Sequence, residues 1–139
     1  MAEALLKSLS KGRFEVFSAG SRPSGHVHPM ALEILKAARL PIEGLRSKSW
    51  DEFKDQPMNF VITVCDRAKE TCPLWSGQPI TAHWSFEDPG KAEGSLEEKS
   101  KIFRKVFTEI QTRVRLFAAF PMDKLSRLEL ENEVRKLAP

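Results

Sequence analysis

The stretch NFVITVCDRAKETCP, residues 59–73, decides the fold class. Its first six residues form an apolar run, which predicts a strand buried on both faces in a parallel sheet. The strand ends at Cys65, and a short helix is expected from Asp66 or the next residue. Cys72 follows seven positions after Cys65 and directly precedes Pro73. The stretch therefore predicts two cysteines beside the carboxyl end of a strand.

Helical and strand patterns alternate on both sides of this segment, which predicts a single α/β domain over residues 1–139. The expected architecture is a three-layer sandwich, with a parallel sheet between helices. Ligands of such sheets bind beyond the carboxyl ends of the strands. We predict helices over residues 1–9, 29–39 and 50–53, strands over 14–18, 59–64 and 80–84, a long helix opened by a Ser95–Glu98 capping box, and a last helix beginning at Asp123 or Ser126.

Composition excludes several classes of protein. Hydrophobic residues make up 41% and charged residues 29% of the 139 residues, as in globular domains that fold in water. The sequence has no apolar run of about 18 residues and no signal-peptide pattern, so we expect a cytoplasmic protein without a membrane partner. Lys and Arg exceed Asp and Glu by only 22 to 19, and the two signs are interspersed. This pattern predicts no nucleic-acid partner.

Cys65 is the first candidate for chemistry. At the end of a strand and the start of a helix its thiolate is favoured, which suits a nucleophile. If the intervening residues are helical, Cys72 lies roughly 10 Å away, whereas a disulfide needs Cα atoms within about 7 Å. The pair can close only if the helix loosens, so oxidation would be a conformational switch. The alternative is that both cysteines are inert small hydrophobic residues.

Asp88 is the second candidate, because its loop follows a strand on the same rim as Cys65 and its aromatic neighbours could desolvate a carboxyl for general-acid work. An Asp before Pro is also a common turn residue, and that alternative stays open. A metal site combining the thiols with His26, His28 and His83 is disfavoured, since zinc sites favour two to four residues between cysteines.

These segments together resemble the arsenate reductases built on the low-molecular-weight protein tyrosine phosphatase fold. The double-cysteine segment and the pattern HW..EDP separate these reductases from the ordinary phosphatases of that fold. The matching segments are AEALL from Ala2, SAG from Ser18, HP from His28, LRSKSWDEF from Leu45, VITVCDRAKETCP from Val61 and AHWSFEDP from Ala82.

The resemblance implies a cysteine relay. In the family, a nucleophilic cysteine in a loop of the form Cys, five residues, Arg attacks arsenate, and an aspartate, here Asp88, protonates the leaving oxygen. Cys65 then attacks the nucleophile's sulfur and releases arsenite, and Cys72 takes over the disulfide while the helix between them unwinds. A thioredoxin- or glutaredoxin/glutathione-type donor restores the thiols. No bound cofactor or metal is implied.

The sequence departs from this pattern at the nucleophile. Neither Cys65 nor Cys72 is followed six positions later by arginine, because those places hold Thr71 and Gln78. In the family, the anion loop and a central strand of the four-stranded sheet precede the helix with which this chain begins. We therefore expect the domain to be N-terminally incomplete and inactive alone.

The loss of a central strand exposes two sheet edges, so a well-behaved monomer is not expected. Three explanations are open: a start upstream of Met1, a truncation, or a partner chain that supplies the strand, as in a strand-exchanged dimer. We favour the first.

Two other functions stay open. A phosphatase acting on small or tyrosyl phosphate esters would need neither Cys65 nor Cys72. A non-catalytic redox-responsive module would use only the switch between these two cysteines.

Overall fold

A computed structural model describes residues 1–138 and confirms the α/β class, with two parallel strands and helices packed around them. Apart from a strand expected over residues 14–18, which is absent, the helices and strands follow one another in the order expected from the sequence. The elements are α1 (Ala2–Ser10), α2 (Pro29–Ala37), a 3-10 helix (Trp50–Phe53), β1 (Phe60–Thr63), α3 (Asp66–Thr71), β2 (Ile80–His83), a second 3-10 helix (Pro89–Lys91), α4 (Leu96–Ala118) and α5 (Arg127–Lys136).

Side-chain caps explain where the two C-terminal helices begin. Ser95 accepts a hydrogen bond from the Glu98 N–H, and the Glu98 carboxylate accepts one from the Ser95 N–H, so the expected capping box opens α4. Ser126 and Glu129 form the same box at the start of α5. Of the two starts expected for this helix, Ser126 is correct.

The sheet consists of β1 and β2 in parallel, with Phe60 opposite Ile80 and Thr63 opposite His83. All four residues of β1 are half-buried, whereas the apolar sequence predicts a strand covered on both faces. The difference arises because β1 pairs with β2 alone, so within residues 1–138 its other edge has no strand neighbour.

The strand predicted over residues 14–18 is wrong. This segment forms no ladder, and the nearest pairing is an isolated parallel bridge between Gly20 and Ser49. A strand needs a neighbour for its backbone groups, and a groove separates residues 14–18 from β1. Side chains hold the segment instead. The ring centroids of Phe14 and Phe117 lie 5.4 Å apart.

Two hydrophobic clusters form the core. The first joins α1, α2 and α4, and it includes Leu5 and Leu35, which are 1% and 0% exposed. The second joins β2, α4 and α5 around Trp84, whose indole N–H donates to the Val134 carbonyl at 2.9 Å. Burial of these apolar surfaces holds the helices against the sheet. No helix in residues 1–138 is long and apolar enough to cross a membrane.

Candidate active site

A groove of about 1350 Å³ runs beside β1. The segment 14–22 forms its other wall, and residues of α1 and α4 line it as well. We call it the central groove. The carboxyl ends of both strands open onto it, as expected for ligand sites of parallel sheets. Cys65, Cys72 and Asp88 all line this groove.

Cys65 lies at the boundary between β1 and α3. It is the N-cap residue of the six-residue helix, its side chain makes no capping hydrogen bond, and its thiol is free and exposed. Of the two starts considered for this helix, Asp66 is correct. The sulfur is therefore accessible to a reactant in the groove.

Cys72 lies at the other end of α3 and is half-buried. Its sulfur accepts a hydrogen bond from the Trp75 indole N–H at 3.1 Å. Because Cys65 and Cys72 flank the whole helix, they do not form a disulfide while α3 is intact. Both are free thiols in this structure.

Asp88 begins the second 3-10 helix. Its Oδ1 accepts a hydrogen bond from the Gly90 N–H at 3.0 Å, and its Oδ2 lies 4.0 Å from the Lys91 ammonium. The side chain is 54% exposed, so the aromatic neighbours of Asp88 do not desolvate its carboxylate in this structure. The loop 85–88 turns Asp88 toward solvent at the groove rim because the Asp88–Gly90 contact is a tight Asx-type turn.

His83, which the sequence suggests only as a member of a disfavoured metal site, hydrogen-bonds side chains of β1 and α3. Its Nε2 lies 3.0 Å from Asp66 Oδ1, and its Nδ1 lies 2.7 Å from Thr63 Oγ1. Because Asp66 directly follows Cys65, this contact joins the first turn of α3 to the end of β2. The spacing of Asp66 and His83 along the sequence gives no sign of it. In residues 1–138, no group of three or more His, Cys, Asp or Glu side chains is placed to hold a metal ion.

A buried ionic cluster lies at the α1 side of the central groove. The Lys48 ammonium donates to Glu3 Oε2 at 3.2 Å, and both side chains are less than a tenth exposed. Lys7 and Ser18 donate to the same carboxylate. Burial alone would raise the pKa of Glu3, but these hydrogen bonds outweigh it and hold the pKa below its ordinary value of 4.5.

This cluster makes the stability of the fold depend on pH. Because the pKa of Glu3 is lower in the folded than in the unfolded chain, the contribution of its carboxylate is present above about pH 4.5 and is lost as the pH falls through the folded value. We expect the difference in free energy of unfolding between the wild type and Glu3→Gln to be large at pH 6 and to shrink toward pH 3, measured by urea denaturation. If this difference in free energy of unfolding stayed constant with pH, it would contradict the lowered pKa of Glu3.

Comparison with known proteins identifies the family. Residues 1–134 match the family model described as low molecular weight phosphotyrosine protein phosphatase. The chain belongs to this family. Within it, the chain is 36% identical over 118 residues to the arsenate reductase of Halalkalibacterium halodurans, covering 85% of this chain and 84% of that protein.

A second curated relative and a solved structure are also arsenate reductases. The glutaredoxin arsenate reductase of a Synechocystis species is 32% identical, covering 82% of each chain. A solved structure of an arsenate reductase in the oxidised state superimposes with a TM-score of 0.70 at 29% identity, covering 85% of each chain. The expected family and fold are therefore confirmed, and the relatives within the family are named arsenate reductases.

Proposed function

We propose that Cys65 and Cys72 are the thiol relay of an arsenate reductase, with Asp88 as its general acid. The observation that carries the proposal is the position of the two free thiols at the two ends of the short helix α3, both on the central groove that Asp88 also lines. Similarity to the named arsenate reductases supplies the substrate, the oxyanion arsenate.

The reaction needs a first thiolate that displaces an oxygen of arsenate and forms an S–As bond. Asp88 gives its proton to the departing oxygen. The Cys65 thiolate then attacks the sulfur of this adduct, which forms an S–S bond and leaves the electron pair of the broken S–As bond on arsenic. Arsenic is thereby reduced from As(V) to As(III), and arsenite leaves.

Cys72 completes the relay within the chain. Its thiolate attacks Cys65 Sγ, forms the Cys65–Cys72 disulfide and releases the first sulfur as a thiolate. A dithiol donor of the thioredoxin or glutaredoxin type then reduces this disulfide by two exchange steps and becomes a disulfide itself. The name of the Synechocystis relative, a glutaredoxin arsenate reductase, supports a donor of this class.

The first thiolate is not one of the two cysteines of this sequence. Thr71 and Gln78 occupy the positions where an arginine six residues after Cys65 or Cys72 would complete an anion-binding loop. The 139 residues of this chain, taken alone, therefore do not turn over arsenate in this proposal. They need a segment with the pattern Cys, five residues, Arg.

The central groove is the place where such a segment would join the domain. Within residues 1–138, the edge of β1 that faces the groove has no strand neighbour, and Val64, the residue after β1, is 41% exposed. Free edges of this kind pair with other strands. Without the segment, we propose that a second copy of the chain fills the groove in a strand-exchanged dimer.

A complementation experiment tests this function. We expect the 139-residue chain to sediment as a dimer and to show no arsenate reduction with thioredoxin and its reductase. When it is fused behind a strand followed by a loop of the form Cys, five residues, Arg, we expect a monomer that releases arsenite. The matched control is the same fusion with that cysteine replaced by serine. Arsenate turnover by the unfused chain, or none by the fusion, would contradict the proposal.

The family description also favours a second candidate, hydrolysis of tyrosyl or small phosphate esters. That reaction uses a nucleophile and a general acid but no relay thiols. A third candidate, a redox-responsive module without catalysis, requires only that Cys65 and Cys72 form a disulfide. The fusion separates the three, because only the reductase couples arsenite release to both cysteines.

A further inference from the structure

Trp75 is the one residue that hydrogen-bonds the sulfur of a relay cysteine in residues 1–138. Its indole N–H lies 3.1 Å from Cys72 Sγ. An indole N–H is a donor only, and a thiolate is a much better acceptor for it than the neutral sulfur of a disulfide. The contact therefore favours the reduced form of Cys72.

The indole is the fixed partner in this contact. The Met58 N–H donates to the Ser76 carbonyl at 3.1 Å, so the residue after Trp75 is tied to the loop before β1. Gly77 packs so closely there that a Cβ would lie 3.2 Å from the Met58 nitrogen. The Trp50 ring meets the Trp75 ring edge-on, with centroids 6.5 Å apart.

Cys72 is the partner that can move. It ends a helix of only six residues, and helices this short have little stability of their own. Closing a disulfide brings the Cα atoms of Cys65 and Cys72 from roughly 10 Å to within about 7 Å, so α3 must unwind. The Cys72 sulfur either leaves the indole or stays beside it as a poor acceptor.

We propose that Trp75 sets the redox equilibrium of the Cys65–Cys72 pair by stabilising its reduced form, an inference that rests on the proposed relay. When a donor thiolate attacks Cys65 Sγ, the Cys65–Cys72 bond breaks and its electron pair leaves on Cys72. Once α3 has re-formed, the released Cys72 sulfur lies again within hydrogen-bond distance of the indole N–H, as in the reduced structure. A disulfide whose reduced form is stabilised is a stronger oxidant and is reduced more readily by the donor.

Equilibration with glutathione tests this role, using Trp75→Phe against Trp50→Phe. Both changes keep an aromatic ring, and only the first removes the donor to Cys72. Glutathione disulfide accepts the two electrons of the thiol pair and is reduced to two glutathione molecules. For Trp75→Phe we expect the ratio [GSH]²/[GSSG] at half-oxidation to rise about tenfold, which is a potential about 30 mV more negative. For Trp50→Phe, which keeps a ring beside Trp75 and leaves the Trp75 N–H in place, we expect a shift well below tenfold.

Equal ratios for wild type and Trp75→Phe, or equal shifts in both variants, would overturn the inference while leaving the relay intact. A wild type that forms no Cys65–Cys72 disulfide at any ratio would overturn the relay and the redox role together.

Tryptophan fluorescence tests the contact between Trp75 and Cys72 itself. Because a sulfur in contact with an indole quenches its emission, we expect Cys72→Ala to raise the tryptophan fluorescence of the reduced protein. The same change in a Trp75→Phe background should leave it unaltered. If Trp75→Phe does not fold, the comparison of wild type with Cys72→Ala still tests whether the indole contacts the Cys72 sulfur. Unchanged emission in Cys72→Ala would contradict that contact.

Discussion

Replacing Cys65 by serine is expected to abolish arsenite release from the complemented fusion, with a loss of at least about 10³-fold, as for removal of a covalent nucleophile. A serine hydroxyl cannot take the place of the thiolate that attacks the adduct and leaves the electron pair on arsenic. The substitution changes one atom of an exposed side chain that makes no capping bond, so the fold is expected to remain.

Cys72→Ser is the matched comparison, because its thiol acts only after arsenite has left. We expect one equivalent of arsenite per chain in a rapid-quench experiment, followed by a stall, whereas Cys65→Ser gives none. Hydrolysis of a phosphate ester by the same fusion should survive both changes. Unchanged arsenate turnover in Cys65→Ser would contradict the relay and favour a reaction that needs no second thiol.

Asp88→Asn is expected to lower arsenate turnover by about 10²- to 10⁴-fold, the usual contribution of a general acid. An asparagine side-chain oxygen can still accept the hydrogen bond from the Gly90 N–H, so the turn that places this residue is preserved. The change therefore removes the proton and keeps the geometry. The measurement is steady-state turnover of the fusion with a thioredoxin-coupled assay.

Glu87→Gln is the control for this variant. Glu87 is the neighbouring carboxylate of the same loop, is 50% exposed and pairs with Lys105 on α4 at 3.1 Å. Exposed ion pairs of this kind contribute little to stability, so we expect turnover close to wild type. An equal loss of turnover in both variants would show that the effect comes from the charge of the loop. Asp88 would then not be the general acid.

Local signals in the sequence predict most of the helices. The capping boxes at Ser95 and Ser126 and the proline at the start of α2 are each made within one turn of chain, so no distant residue decides them. The short helix expected after Cys65 is present as α3. These features also place Cys65 and Cys72 correctly at the two ends of one short helix.

Features that depend on distant neighbours could not be predicted in this way. Residues 14–18 have the alternation of a strand, but a strand forms only where another strand accepts its backbone hydrogen bonds. The exposure of Asp88 depends on how its loop turns. The contacts of His83 with Asp66 and of Trp75 with Cys72 join residues whose types carry no pairing signal.

Peptide mapping of the oxidised chain is the most direct test of the relay. The 139-residue protein would be treated with glutathione disulfide, blocked with an alkylating reagent and digested without reduction. We predict one intramolecular disulfide between Cys65 and Cys72, together with loss of the helical signal of α3 in hydrogen exchange. Two alkylated thiols, or only mixed disulfides with glutathione at both positions, would contradict the relay.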